Sequence, residues 1–221
     1  MDQKKLDQQS QHWEINFSNK PEMFGLSQSL AAEKALKLFR KNNINYIIEL
    51  GAGLGRDSTF FAKNLIHTTA LDYSPAGIDI IEQKIKKNDL TKYLSTQLFD
   101  IRKKLPFEDN SIEACYSHML YCMALSNNDL QNLNNEILRI LKPGGINIYT
   151  VRHIKDGDYK KGIPIGEDLY ENDGFIVHYF SKEKINSLLQ GFININLENF
   201  EEGSFPRKLF YVVNIKKIKN Q

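Results

Sequence analysis

The stretch IIELGAGLGRD, residues 47–57, decides the fold of this 221-residue chain. Its apolar run is too short for a helix and ends at Leu50, and glycines at 51, 53 and 55 separate it from a helix-compatible segment. Glycine tolerates a positive φ and lets the backbone approach a ligand closely. A strand, a glycine loop and a helix in this order favour a nucleotide-binding loop at the edge of a sheet.

Strand-like and helix-like segments alternate on both sides of this loop. Apolar patterns predict strands at 46–50, 67–72, 96–100, 111–117 and 146–151. Helical spacing predicts a helix that ends near Lys41, one that Asp57 or Ser58 caps, one that Pro75 opens, and one stopped by the PGG sequence at 143–145. This alternation predicts an α/β fold with a Rossmann-like, doubly wound sheet.

The pattern changes after residue 151. Residues 152–180 are too long for an ordinary connection, and we interpret them as a lid-like insertion. A short capped helix is predicted at 181–191, and β-like runs at 192–200 and 208–218 are close enough to form an antiparallel hairpin. We interpret residues 1–221 as a single domain with an N-terminal cap and helix (1–45), a cofactor-binding core (46–151), the insertion (152–180), and a helix with a C-terminal hairpin (181–221).

Composition and charge disfavour several classes of protein. The hydrophobic content of 41% and charged content of 25% are typical of a soluble globular protein, and the net charge of +2 is too small to imply a nucleic-acid partner. No apolar run approaches the roughly 20 residues that span a bilayer, and the N-terminus lacks the apolar core of a signal peptide. Cys115 and Cys122 offer no disulfide framework and no metal cluster. We therefore expect a cytoplasmic monomer or homodimer that uses no metal and binds no membrane.

Acidic residues stand near the predicted carboxyl ends of three strands. Glu49 precedes the glycines, Asp72 ends the second strand, and Asp100 ends the third. In a doubly wound sheet these ends meet at one edge, and an acid about twenty residues after the loop can accept hydrogen bonds from ribose hydroxyls. The spacing G-x-G-x-G followed by Arg56 departs from the dinucleotide fingerprint and lacks the lysine of a phosphate-binding loop. An acid directly before the glycines suits a ligand that carries an ammonium group.

These motifs together resemble those of the class I S-adenosylmethionine-dependent methyltransferases. ELGAGLGRD resembles their first motif, LDYSP the second, FD with Ile101 the third, and LKPGG the turn before the fifth strand. The resemblance covers about residues 46–151 and is closest to the small-molecule branch that includes quinone-biosynthesis and tellurite-resistance enzymes. It implies a seven-stranded, mostly parallel sheet with an antiparallel last strand, which the C-terminal helix and hairpin match.

The resemblance also implies a role for each matched residue. The methionine part of S-adenosylmethionine would contact Glu49, the backbone of the glycine loop, and Ser117 at the end of the fourth strand. The loop residues concerned are Gly51, Ala52 and Gly53.

The nucleoside part of the cofactor would be held by the second and third motifs. Asp72 would accept from the ribose hydroxyls, with Tyr73 packing near the adenine. Asp100 would accept from the adenine amino group, and Ile101 would cover the ring.

Candidate catalytic residues follow the fourth and fifth strands. Methyl transfer depends mainly on holding the acceptor in line, and a general base helps only when the acceptor is protonated and weakly acidic. We place His118, Tyr121 and His153 in this role. Packing or structural interpretations stay open for these three and for further candidates near the mouth of the crevice: Cys122, Arg152, Tyr159, Asp168, Tyr170 and His178. Trp13, Phe17 and Phe24 either close over the cofactor or pack against the core.

Missing motifs narrow the acceptor. The Asn/Asp-Pro-Pro-Tyr motif of amino-directed nucleic-acid methyltransferases is replaced by SHML at 117–120, and neither cysteine follows a proline as in cytosine-C5 enzymes. These absences favour a small-molecule acceptor. Two other functions are carried as alternatives: an NAD(P)-dependent oxidoreductase, disfavoured by the glycine spacing, and a non-catalytic protein that binds S-adenosylmethionine.

Overall fold

The computed structural model describes residues 3–203 and 207–218. The outer ends of the predicted 1–45 and 181–221 segments, and residues 204–206 between the two predicted hairpin strands, lie outside the described residues. The helices are α1 (Gln3–Asp7), α2 (Gln9–Asn19), α3 (Leu30–Lys41), α4 (Arg56–Lys63), α5 (Pro75–Lys87), α6 (Asn127–Ile140) and α7 (Lys182–Ser187). The strands are β1 (Tyr46–Leu50), β2 (His67–Asp72), β3 (Leu94–Leu98), β4 (Ile112–Ser117), β5 (Leu141–His153), β6 (Ile163–Gly166), β7 (Leu169–Asn172), β8 (Phe175–Phe180), β9 (Phe192–Glu202) and β10 (Arg207–Lys216).

Seven of these strands form the predicted Rossmann-like sheet. Five parallel strands lie in the order β3-β2-β1-β4-β5. Strand β10 pairs antiparallel with β5, and β9 pairs antiparallel with β10, so β10 alone is reversed. The predicted fold class is confirmed, including the C-terminal hairpin. The order turns back at β1 and β4, and this reversal opens the crevice in which doubly wound folds bind ligands.

The insertion at 152–180 is a small antiparallel sheet rather than an irregular loop. Strand β7 pairs with β6 and β8, and β8 runs parallel to the end of β5, where Arg152 lies opposite Tyr179 and His153 opposite Phe180. The insertion therefore extends the main sheet at the carboxyl end of β5, beside the crevice.

Two local predictions were wrong. Neither Asp57 nor Ser58 caps α4: the N-cap is Gly55, which has a φ of 71° and makes no side-chain cap hydrogen bond. The Asp57 carboxylate instead accepts hydrogen bonds from the backbone and hydroxyl of Ser29 and from the Tyr116 hydroxyl. The third strand ends at Leu98 rather than at residue 100, so Asp100 follows the strand by two residues.

Hydrophobic side chains from both faces of the sheet form the core. Helices α3 and α4 cover one face with Ala35, Phe39 and Phe61. Helix α6 covers the other with Leu133 and Ile137. Among residues 3–203 and 207–218, no helix has the length and apolar character needed to cross a membrane.

Candidate functional site

The glycine loop turns sharply at the carboxyl end of β1. Gly51, Gly53 and Gly55 have φ angles of 68°, 55° and 71°, a region that favours glycine. The backbone N–H groups of Gly51 and Ala52 both donate to the Leu71 carbonyl, at 2.9 and 3.0 Å. A Cβ placed on Gly51 would lie 2.7 Å from Leu120 Cδ1. The loop thus fits tightly between β2 and the segment that follows β4.

Asp72 joins the glycine loop to the start of α5. Its carboxylate accepts from Gly53 N–H at 2.7 Å and from Ser74 N–H at 2.9 Å. Burial raises the pKa of Asp72 to about 6, although these backbone hydrogen bonds act in the opposite direction. Two carboxylate oxygens have about four acceptor directions, so this acid retains capacity for further donors such as the predicted ribose hydroxyls.

Glu49 lies beneath the loop and is 3% exposed. Its carboxyl group accepts a hydrogen bond from the Ser58 hydroxyl. Burial, together with the nearby charge of Asp57, raises the pKa of Glu49 well above its usual value. A cationic group placed nearby would favour the ionised form of Glu49. The contact with an ammonium group stays a prediction.

Arg102 forms an ion pair with Asp100, the acid that follows β3 by two residues. Its guanidinium donates to the two Asp100 oxygens from Nε at 3.0 Å and from Nη2 at 2.8 Å, and Nη1 contacts Asp7 of α1 at 2.5 Å. Burial would raise the pKa of Asp100, but the hydrogen bonds and charge of Arg102 lower it below its usual value. The predicted adenine-binding acid is therefore tied to the N-terminal helices.

Helices α1 and α2 cover the predicted nucleoside site. A cavity of about 40 Å³ remains there, lined by Tyr73, Asp100 and Ile101 from below and by Trp13 from above. Small-molecule sites enclose about 300–1,000 Å³, so the N-terminal helices fill most of the crevice in this conformation. Glu14 of α2 accepts from the Ser74 hydroxyl and from the Ala76 backbone N–H at the start of α5.

Aromatic residues continue this cover over the glycine loop. Trp13 lies 5.4 Å from Phe17 and 6.2 Å from Phe24, between ring centroids. A Cβ on Gly53 would meet Phe17 at 3.6 Å and Phe24 at 3.7 Å. These three residues therefore lie above the predicted cofactor residues as well as packing against one another.

The residues around the crevice fit S-adenosylmethionine. Asp100 lines the cavity, Asp72 lies between the glycine loop and the start of α5, and Glu49 lies beneath the loop, which gives acceptors for adenine, ribose and ammonium groups. Ser117 supplies a second indication, because its buried hydroxyl at the end of β4 has no hydrogen-bond partner within the described chain. Such a buried group is normally satisfied, so a ligand at the end of β4 would complete it.

His118 makes two side-chain contacts with residues that the sequence did not indicate. Its Nδ1 lies 3.0 Å from Thr150 Oγ1, and its Nε2 lies 3.2 Å from Glu202 Oε2. Glu202 stands at the end of β9, and its other oxygen lies 3.9 Å from Arg56. Thr150 lies in an apolar strand and Glu202 in a solvent-edge hairpin, so no local motif marks either. Only strand pairing brings them to His118.

Arg56 is bound on several sides. Its Nη1 donates to the Phe24 carbonyl at 3.0 Å, and its Nε lies 3.5 Å from Asp57. The arginine after the glycine loop therefore links that loop to Glu202 and to the segment before α3.

Tyr121 and His153, the other two candidate catalytic residues, have structural surroundings. Tyr121 is fully buried and stacks on Tyr149 at 4.2 Å, and its hydroxyl accepts from Asn147 Nδ2 at 3.2 Å. His153 stacks on Phe210 at 4.1 Å between ring centroids, and burial with nearby lysines lowers its pKa. These positions favour packing roles, and the catalytic assignments stay predictions.

The further candidate residues, in the insertion and at its border, all have side-chain contacts within the protein. Arg152 is buried against Asp156 and Asp158. His178 Nδ1 lies 2.8 Å from the Leu125 carbonyl and Nε2 lies 2.6 Å from Lys184 Nζ, and burial lowers the pKa of His178 to about 4. The rings of Tyr159, Tyr170 and Tyr179 contact one another, and the Tyr159 hydroxyl donates to Asp168. Cys122 lies apart from this cluster, and its Sγ donates to the Met119 carbonyl.

Comparison with known proteins finds a matching family model and several relatives. The family model described as a methyltransferase domain matches residues 47–145. Phosphoethanolamine N-methyltransferase 1 of Triticum aestivum is 35% identical over 105 residues, covering 45% of this chain and 20% of that enzyme. Demethylmenaquinone methyltransferase of Clavibacter sepedonicus is 30% identical over 100 residues, covering 45% of this chain and 38% of that enzyme. The chain thus spans about a fifth of the length of the Triticum aestivum enzyme.

The name of another relative indicates that it methylates tRNA. A tRNA N(3)-methylcytidine methyltransferase of Schizosaccharomyces pombe is 27% identical over 177 residues, covering 75% of this chain and 53% of that protein.

Solved structures share the fold at low identity. The 1,6-didemethyltoxoflavin-N1-methyltransferase of Burkholderia thailandensis, solved with its substrate and S-adenosylhomocysteine, superposes with a TM-score of 0.73 at 13% identity, covering 99% of this chain and 91% of that chain. A (4+2)-cyclase superposes with a TM-score of 0.73 at 14% identity, covering 96% of both chains. Residues 47–145 thus match a methyltransferase domain, and the chain shares the Rossmann-like fold of these solved structures.

Proposed function

We propose that this chain transfers a methyl group from S-adenosylmethionine to a small-molecule acceptor. The observation that carries the proposal is the contact between Gly53 N–H and Asp72, at 2.7 Å, which joins the glycine loop to the predicted ribose-binding acid. Asp72 therefore holds the loop against which the methionine part would lie. It also stands at the end of β2, where the ribose would bind. The matching methyltransferase domain model supports the same cofactor.

The residues of the crevice would hold the cofactor in two parts. Asp72 and Asp100 would accept from its nucleoside, and the backbone of Gly51 and Gly53 would approach its methionine part. When bound, the cofactor supplies a methyl group on a positively charged sulfur atom, so no covalent enzyme intermediate is required. The chain's own contribution is to orient the acceptor and to exclude water, the latter through α1 and α2.

A small molecule is favoured over tRNA as the acceptor. The net charge of +2 gives no strong electrostatic footprint for a polyanion, and phosphate contacts dominate affinity for nucleic acid. Two of the relatives named above act, by their names, on phosphoethanolamine and demethylmenaquinone. The cytoplasmic location and a monomeric or homodimeric state remain predictions from the sequence.

Calorimetry with S-adenosylmethionine and S-adenosylhomocysteine tests the cofactor. We expect micromolar or tighter binding of both, and a loss of about 150-fold or more in Asp72→Ala, because a buried charged acceptor of two hydroxyl groups contributes roughly 1.5–3 kcal/mol for each. Unchanged affinity in that variant would overturn the assignment. Mass spectrometry of the purified protein adds an independent readout, and a co-purified nicotinamide in place of the cofactor would favour the oxidoreductase alternative.

A second candidate function is binding of S-adenosylmethionine without transfer of its methyl group. The (4+2)-cyclase on this fold supports it, since the fold hosts chemistry other than methylation. Incubation with labelled S-adenosylmethionine and a panel of amines, thiols, phenols and carboxylic acids separates the two. Labelled product with any acceptor supports the enzyme, whereas cofactor binding without product across the panel and across tRNA supports the non-methylating alternative.

A further inference from the structure

The segment that follows β4, residues 120–125, forms one wall of the cavity at the predicted nucleoside site. Four of its residues line that cavity: Leu120, Met123, Ala124 and Leu125. Leu120 also packs against the glycine loop, since a Cβ on Gly51 would lie 2.7 Å from its Cδ1. We call residues 120–125 the wall segment. Its position affects both predicted parts of the cofactor site.

The wall segment forms turns rather than a helix or a strand. Within it, Met123 N–H donates to the Leu120 carbonyl at 3.0 Å, and Leu125 N–H donates to the Met123 carbonyl at 2.8 Å. The backbone groups of a buried turn also need partners from outside it. The shape of the wall segment therefore depends on the residues that pack against it.

His178 of β8 binds two carbonyls of the wall segment. Its backbone N–H donates to the Cys122 carbonyl at 2.9 Å, and its ring Nδ1 lies 2.8 Å from the Leu125 carbonyl. The histidine is fully buried, so water does not compete for either contact. One residue of the insertion thus holds the wall segment at two points.

The partners of its two ring nitrogens fix the proton on His178. A carbonyl oxygen only accepts, so the hydrogen of the neutral ring lies on Nδ1 and points to Leu125. Nε2 then carries a lone pair, and it lies 2.6 Å from Lys184 Nζ. Lys184 also donates to the Glu167 carbonyl at 2.6 Å and lies 3.2 Å from the Asp168 carboxylate. A lysine ammonium has three hydrogens, so it can serve these three acceptors at once.

The pKa values of this pair agree with the hydrogen-bond pattern. Burial and the charge of Lys184 lower the pKa of His178 to about 4, so its ring is neutral at physiological pH. Burial lowers the pKa of Lys184, and the contact with Asp168 acts in the opposite direction. Both ring nitrogens of His178 already have partners, so neither can take a proton from a substrate.

The groups that fix this arrangement lie in the insertion and directly after it. Lys184 lies in α7, and its other two partners lie in the turn between β6 and β7. The wall segment in turn supports the N-terminal helices, since Ala124 shares a buried cluster with Leu6 of α1 and with Leu169 and Ile176 of the insertion. The insertion and α1 therefore meet on the wall segment.

We propose that His178 is a positioning residue for the cofactor site. Lys184 keeps its ring in the Nδ1–H tautomer, and this hydrogen holds the wall segment in the position that encloses the nucleoside of S-adenosylmethionine. The insertion is accordingly a fixed support of the site rather than a lid that swings open. This inference rests on the proposed binding of S-adenosylmethionine, and it assigns to Lys184 an effect on the cofactor that passes through His178.

Nuclear magnetic resonance on protein labelled with ¹⁵N-histidine tests the tautomer without any ligand. We expect the His178 signals, identified by their absence from His178→Asn, to show the Nδ1–H form at neutral pH. The Glu167 carbonyl also faces the ring. Lys184→Met removes the donor to Nε2, so the Nε2–H form that points to this carbonyl should appear beside the first. A wild-type Nε2–H tautomer would overturn the proposal, whether or not the protein binds the cofactor.

Calorimetry with S-adenosylhomocysteine tests the link to the cofactor. His178→Leu keeps the bulk of the side chain but leaves the Leu125 carbonyl without its donor, and we expect binding to weaken by about 10-fold. His178→Asn carries an amide N–H in place of Nδ1–H and should bind more tightly than His178→Leu. A role in packing alone predicts the opposite order, and either that order or wild-type affinity in His178→Leu would refute the proposal. Phe39→Leu is the control for lost stability and should leave the affinity unchanged, because Phe39 packs on the opposite face of the sheet.

Lys184→Met tests the path through His178. When the tautomers mix, only a fraction of the molecules holds the wall segment, so the apparent affinity for S-adenosylhomocysteine should fall by about 2–5-fold. The same substitution added to His178→Leu should cause no further loss, because effects that pass through one shared group are not additive. Additive losses contradict the proposal and leave cofactor binding intact. Failure of the wild type to bind S-adenosylhomocysteine would sink the proposed function instead.

Discussion

Gly53 donates its backbone N–H to Asp72 across 2.7 Å, so the glycine loop is held by the acid that ends the neighbouring strand. The other oxygen of Asp72 binds the Ser74 backbone at the start of α5. The loop, β2 and α5 are thus fixed by one buried carboxylate. Because burial raises the pKa of Asp72 to about 6, this carboxylate also makes the cofactor-free protein sensitive to pH.

The contribution of Asp72 to the stability of the cofactor-free protein should fall as pH rises from about 4 through about 6. The folded pKa is about 6 and the ordinary value is 3.8, so the folded chain binds more protons than the unfolded chain between these values. Asp72→Asn removes this term. Relative to the wild type, this variant should therefore gain roughly 2.5 kcal/mol of stability against unfolding between pH 4 and pH 7. Urea unfolding at four pH values measures the difference, and a constant difference contradicts the prediction.

Gly51→Ala should destabilise the protein by about 2–5 kcal/mol. A left-handed conformation costs a residue with a Cβ roughly 1–2 kcal/mol, and the overlap with Leu120 adds an overpacking term of roughly 1–3 kcal/mol. Gly25→Ala is the matched control, because Gly25 has a φ of 74° but open space around its Cβ position. Unfolding in denaturant should show a smaller loss for Gly25→Ala. Equal losses in the two variants would show that the contact with Leu120 carries no cost.

Ser29→Ala should cost more than loss of a helix cap alone. Ser29 Oγ accepts from Ala32 N–H at the start of α3 and also contacts the buried Asp57 carboxylate at 2.6 Å. Ser181 caps α7 by accepting from Lys184 N–H. We expect about 1 kcal/mol for Ser181→Ala and about 2–4 kcal/mol for Ser29→Ala, since the latter also removes a hydrogen bond to a buried charge. Thermal or chemical unfolding compares them, and losses of equal size would refute a structural role for the contact with Asp57.

Binding of S-adenosylhomocysteine should be limited by opening of α1 and α2. The remaining cavity of about 40 Å³ is too small for a nucleoside, and the ion pair of Asp7 with Arg102 helps to hold the cover in place. The observed rate in stopped-flow fluorescence of Trp13 should therefore reach a plateau with ligand concentration. Asp7→Ala should raise that plateau about 2–5-fold, because it removes a largely exposed ion pair. Lys142→Ala is the control and should leave the plateau unchanged, because Lys142 lies at the amino end of β5 and pairs with Glu113. A rate that rises linearly with ligand in the wild type contradicts a closed cover.

The order of the elements was predictable because local patterns report it directly. The glycines after YIIEL and the proline at 75 mark where strands and helices meet. The PGG sequence at 143–145 lies inside β5, three residues after α6 ends. The apolar alternation of the last two runs also predicted the hairpin, which forms with Tyr211 opposite Glu198. The antiparallel sheet of the insertion was not predicted. Its pairing is local, but β6 and β7 are only four residues long and carry no clear apolar alternation.

The sequence by itself determined the glycine loop and the acids near the ends of three strands, since a fixed spacing along a strand–loop–helix unit sets those positions. Only the tertiary structure decided which partners these groups have. Asp7 on Arg102, Ser29 on Asp57, and Thr150 and Glu202 on His118 come from separate elements, and no periodicity records which side chains meet across strands or beneath a helix. The predicted cofactor-binding residues follow one another along the chain, whereas the surroundings of His118 are assembled from distant strands.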